Sequence, residues 1–122
     1  LRAPAPSLIR WQPYDAAQVA AARSAGKPVL IKFTASWCLS CQIVERTTYA
    51  DPQVARALEL RGVVPVKADV TSPDAPANDL LYNHLRTSPP LSILYLPGRE
   101  EPVRLVGKFD KQELMDALEK AK

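Results

Sequence analysis

Phe33-Thr34-Ala35-Ser36-Trp37-Cys38-Leu39-Ser40-Cys41 decides how the rest of this chain is read. It holds the chain's two cysteines, with two residues between them. The apolar run Val29-Leu30-Ile31-Lys32-Phe33 leads in, and Gln42-Ile43-Val44-Glu45-Arg46 has the composition of a helix leading out. A Cys-x-x-Cys between a strand and a helix sets the first sulfur at a helix N-terminus. Unpaired backbone N–H groups and the helix dipole favour a thiolate there.

Working outward, Lys27-Pro28 turns the chain into a strand over Val29–Thr34, apolar enough to be buried on both faces. Before it, Asp15 caps an Ala-rich helix from Ala16 to about Ser24, stopped by Gly26. After the cysteines the helix runs to about Thr47. Asp51-Pro52 restarts a helix to about Leu60, and Gly62 breaks it. Val63–Val70 reads as a second buried strand in which Pro65 must sit at the start or at a position that donates no hydrogen bond. A short helix over about Ala77–Leu85 follows. Strands come next at Ile93–Leu96 and Val103–Val106, then an amphipathic helix capped by Asp110 over Lys111–Lys122. Residues 1–10 are rich in Pro and Ala and read as an extended linker to a single domain over 11–122. Trp11 and Tyr14 are expected to tie the chain's start onto the body. The order predicts an α/β fold, a central mixed sheet of four to five strands flanked by helices.

Charge excludes one class of function. The 16 basic residues are scattered among 13 acidic ones, with no cluster to form a nucleic-acid patch. No apolar run approaches the roughly 20 residues that a membrane span requires. The opening Leu1-Arg2-Ala3-Pro4 suggests a mature protein or an excised domain preceded by a linker. The domain itself is expected to be soluble and monomeric.

For the cysteines, structural zinc lacks ligands, since His84 is the one obvious nitrogen donor. Copper(I) held by two thiolates is the alternative from another class. The strand–helix setting favours a redox pair without cofactor or metal. Cys38, at the helix start, is then the nucleophile that forms a mixed disulfide with a partner. Cys41, one turn on and more buried, resolves it. Glu45, four residues past Cys41, either points back toward the dithiol or is a solvated helix carboxylate. Lys32 is read as a lysine snorkelling from a strand face, with partnership to Glu45 or to a thiolate as the functional alternative. Pro89-Pro90 is either a rigid trans turn or a cis bond.

Together, Trp37-Cys38-x-x-Cys41, Gly26-Lys27-Pro28-Val29, Glu45, Asp51-Pro52-Gln53-Val54, Ala68-Asp69-Val70-Thr71 and Pro90-Leu91-Ser92-Ile93-Leu94-Tyr95 carry a resemblance. The chain resembles the thioredoxin superfamily and, more narrowly, the C-terminal thioredoxin-like domains of the DsbD family of thiol:disulfide interchange proteins. The resemblance implies a thioredoxin fold with Pro90 as a cis proline that touches substrate. It implies protein disulfides as substrates, a transmembrane electron-donor domain as partner and a periplasmic location tethered to the inner membrane. A free-standing thioredoxin-like reductase is the alternative within the class.

Two departures stand out. The resemblance implies that Lys32 lies where relatives usually carry a buried Asp, so proton transfer would fall to Glu45, to water or to no residue. A cation there should lower the Cys38 pKa and make the couple more oxidising. Pro89 lies where relatives have an aliphatic residue before the cis proline. It has no N–H to donate, though its carbonyl accepts, which should alter or narrow partner specificity.

Overall fold

The computed structural model describes residues 8–120. Five strands form one sheet: β1 (Gln12–Pro13), β2 (Val29–Thr34), β3 (Val64–Asp69), β4 (Leu91–Tyr95) and β5 (Val103–Val106), in the order β1-β3-β2-β4-β5. β1 and β2 each run parallel to β3, whereas β4 is antiparallel to β2 and β5 to β4. The sheet is therefore mixed, as its apolar runs predict. β2 lies at its centre, and all six of its residues are buried.

The helices α1 (Ala16–Ser24), α2 (Leu39–Arg46), α3 (Pro52–Leu60) and α4 (Lys111–Glu119) start where short polar side chains satisfy free amides. The Asp15 carboxylate accepts from the N–H groups of Ala17 and Gln18, Asp51 from Gln53 and Asp110 from Glu113. Strand alternation splits the core into two. Val29, Ile31 and Phe33 face one side with Ala68, Leu81 and Ile93, while Leu30 faces the other with Val54, Leu58, Leu94, Leu114 and Leu118.

Three features depart from the sequence reading. Gln12–Pro13 is a strand, too short to show a period, that pairs with Val66 and Lys67. Ile9, assigned above to the linker, is buried; residues 1–7 lie outside the described residues. The segment over 77–85 is not a regular α-helix. Asp79–His84 forms a π-type turn closed by a hydrogen bond from the Leu85 N–H to the Leu80 carbonyl, and Arg86 follows at φ 54°. Pro65 is accommodated as expected. The Val64 N–H donates to the Pro28 carbonyl of the chain entering β2, so Pro65 faces the other way, ahead of the stretch that β1 covers.

Candidate active site: a dithiol above a buried ion pair

β2 ends at Thr34, and the chain turns through Ala35-Ser36-Trp37-Cys38, closed by a hydrogen bond from the Cys38 N–H to the Ala35 carbonyl at 3.1 Å. Cys38 has extended backbone angles and caps α2; its Sγ accepts from the Cys41 N–H at 3.1 Å. The two cysteines are joined as a disulfide, with their Cα atoms 5.3 Å apart. Cys38 and Cys41 are 7% and 2% exposed, so the first is the more accessible sulfur. A thiolate formed at Cys38 would sit at the N-terminus of α2 and accept the same Cys41 amide.

The surroundings are apolar and open. Trp37 and Leu39 are 60% and 76% exposed, and Ile43, one turn beyond Leu39, is also on the surface. Trp37 thus lies beside the dithiol as an exposed ring and does not wall it in. The Pro89–Pro90 peptide bond is cis. Pro89 is buried and Pro90 half-buried. Pro90 lines a narrow slot together with Cys41, Lys32, Thr34 and Ser92.

At the floor of that slot Lys32 corrects the snorkelling reading. It is buried, and its Nζ donates to Glu45 Oε1 at 2.8 Å. Thr34 Oγ1 donates to the other carboxylate oxygen, Oε2, at 3.1 Å. The Lys32 ammonium also lies 4.1 Å from the centre of the Trp11 ring and 5.5 Å from that of Tyr49. Trp11 meets Tyr49 edge to face at 5.0 Å, and the Tyr49 hydroxyl donates to Ser92 Oγ at 2.6 Å. Burial pushes the Lys32 pKa below its ordinary value, although the bond to Glu45 pulls the other way. Burial raises that of Tyr49 far above a free phenol's.

Glu45 therefore addresses Lys32 and Thr34, and the cation beneath the dithiol is matched by an anion. That pairing limits the field Lys32 exerts at the sulfurs, because the two charges partly cancel at a distance. Thr34, Tyr49 and Ser92 escaped the sequence reading. Thr34 carried a usable signal, since two residues after Lys32 on a strand is the same face. Tyr49 and Ser92 arrive from other elements, and no local pattern marks them. His84 stands apart from this cluster as an exposed residue whose Nε2 lies 3.0 Å from Asp79 Oδ2.

A sequence profile of the thioredoxin-like family matches residues 10–97. The chain belongs to the thioredoxin-like family. It is 34% identical over 107 residues to thiol:disulfide interchange protein DsbD 1 of Pseudomonas aeruginosa, covering 86% of this chain and 18% of that protein. It is 41% identical over 96 residues to DsbD of Ralstonia nicotianae, covering 78% and 15%. The chain thus spans less than a fifth of the length of these relatives. Among solved structures, a thioredoxin from Thermus thermophilus superposes with a TM-score of 0.71 at 31% identity, over 92% of this chain and 85% of that one. The reduced DsbD C-terminal domain of Neisseria meningitidis superposes at 0.66 and 23% identity, over 91% and 100%, a likeness of fold. Fold, dithiol and relatives together are those of a thiol–disulfide oxidoreductase.

Proposed function

We propose that this domain relays electrons, taking them from a membrane-embedded reductase and passing them to protein disulfides in the periplasm. The observation that carries the reading is the Cys38–Cys41 pair at the N-terminus of α2, in a chain whose relatives are interchange proteins several times its length. In the reduced form the Cys38 thiolate attacks one sulfur of a partner disulfide. A Cys38–partner bond forms, and the partner's other sulfur leaves as a thiolate and takes up a proton. Cys41 then loses its proton and attacks Cys38 Sγ, which expels the second partner sulfur. Two electrons have moved, and the domain is left with its own disulfide. The membrane donor restores the dithiol by the same exchange in reverse.

The exposed Trp37, Leu39 and Ile43 supply an apolar rim on which a protein substrate docks. Pro90, half-buried beside Cys41, contacts the partner backbone. Pro89, the residue before the cis proline, has a carbonyl acceptor and no N–H, which restricts the partners that bind. Among the described residues no helix is long and apolar enough to cross a membrane, so the donor belongs to another segment or protein.

Equilibration of the intact chain with glutathione buffers tests the direction of flow. A reductant relay requires a potential nearer thioredoxin's, about −270 mV, than that of the oxidant DsbA, about −120 mV. A value at the oxidising end of that range overturns the relay.

A further inference from the structure

Behind the dithiol turn lies a second constellation that the chemistry above does not use. β2 and β3 run in parallel register to Thr34 and Asp69, and the Val70 N–H donates to the Thr34 carbonyl at 2.8 Å. The strand pairing ends there, yet one further bond joins the two segments. The Ser36 N–H, inside the Ala35–Cys38 turn, donates to Thr71 Oγ1 at 2.9 Å. The Thr71 hydroxyl is not free to rotate away. Its own hydrogen goes to Asp69 Oδ1, and that oxygen also accepts from the Thr71 N–H at 2.9 Å. These two bonds hold the Asp69 carboxyl below the usual carboxylate range, so it remains an acceptor at neutral pH. A hydroxyl committed as donor to a carboxylate presents its lone pairs elsewhere, here to Ser36.

We propose that Asp69 and Thr71 are positioning residues that clamp the Ala35–Cys38 turn and thereby set Cys38 Sγ at the N-terminus of α2. The inference rests on the exchange chemistry of Cys38, not on the identity of donor or acceptor. Ser36 and Trp37 are exposed, so packing does not fix the middle of this turn. The clamp supplies what packing does not. When it is lost, the turn samples orientations in which Cys38 Sγ no longer faces the Cys41 amide, the thiolate loses that donor, and attack slows.

The test compares Thr71→Val, isosteric without a hydroxyl, with Thr71→Ser, which keeps it. The reduced intact chain reacts with a small aromatic disulfide, so no protein partner enters and a failed relay leaves the readout unaffected. Losing one net hydrogen bond's worth of positioning slows attack about fivefold in Thr71→Val. The pH profile of Cys38 alkylation shifts to higher pH, and Thr71→Ser restores both. Thr71→Ala, free of any added bulk at this exposed site, matches Thr71→Val. The proposal is overturned if Thr71→Val reacts at the parent rate with an unshifted profile, or if Thr71→Ser is as slow as Thr71→Val.

Discussion

Replacing Lys32 by Met removes the ammonium and keeps most of the stem that packs under Trp11. Glu45 is left as a carboxylate whose side chain is 23% exposed, with Thr34 as its remaining donor. Breaking one half of a buried pair costs about 3–5 kcal/mol, and the partial exposure of Glu45 lets water in, so the low end applies, about 3 kcal/mol. Glu45→Met strands Lys32, whose side chain is 6% exposed. That ammonium already has a lowered pKa and can shed its proton, which limits the loss to about 2 kcal/mol. The double variant strands no charge, but it gives up the ammonium's contacts with the Trp11 and Tyr49 rings and the Thr34 bond to Glu45. It should lose about 2 kcal/mol, some 3 kcal/mol less than the two singles combined. The dithiol reports the same imbalance. In Lys32→Met the Glu45 carboxylate is left unmatched against Thr34, which lines the slot with Cys41, disfavouring a thiolate by on the order of 1 kcal/mol at an effective dielectric of about 20. For a two-electron couple that makes the protein more reducing by about 20 mV. Urea unfolding of the oxidised forms gives the stabilities, and glutathione equilibration gives the potentials. Additive single losses, or a Lys32→Met potential at or above the parent's, would refute the coupling.

Tyr49→Phe removes the donor to Ser92 and should cost about 1 kcal/mol at neutral pH. Because burial raises the Tyr49 pKa, the unfolded chain gives up this proton first as pH rises past about 10. The parent's stability falls there while that of Tyr49→Phe falls less, so the gap between them narrows in denaturation series from pH 7 to 11; a constant gap contradicts the assignment. Trp11→Leu strips the ring from above Lys32 and from the edge of Tyr49, and should destabilise by about 1–2 kcal/mol in the same urea assay. A change below a few tenths would mean that the ring covers nothing of consequence.

Much of this was legible along the chain. The Cys-x-x-Cys between a buried strand and a helix places both sulfurs, and Asp15, Asp51 and Asp110 each start the helix that their spacing predicts. Lys32 shows where local reading stops. A lysine on a strand reads as a snorkel until the covering residues are known, and its cover arrives from Trp11 and Tyr49. The two-residue β1 has no periodicity to detect and exists because β3 offers an open edge. The π-type turn over Asp79–His84 likewise depends on one extra residue between bonding partners, which composition does not encode. Thr71 lies two residues past β3, yet its hydrogen bond to Ser36 joins positions far apart in sequence.

The most direct test of the central claim uses Cys41→Ser, reduced and mixed with an oxidised protein substrate such as insulin. If Cys38 attacks and Cys41 resolves, a stable adduct accumulates, peptide mapping places its bond at Cys38, and thiol reductants release it. Cys38→Ser should accumulate none. An adduct that forms through Cys41 in Cys38→Ser, or its absence in Cys41→Ser while the parent still reduces insulin, would contradict the account.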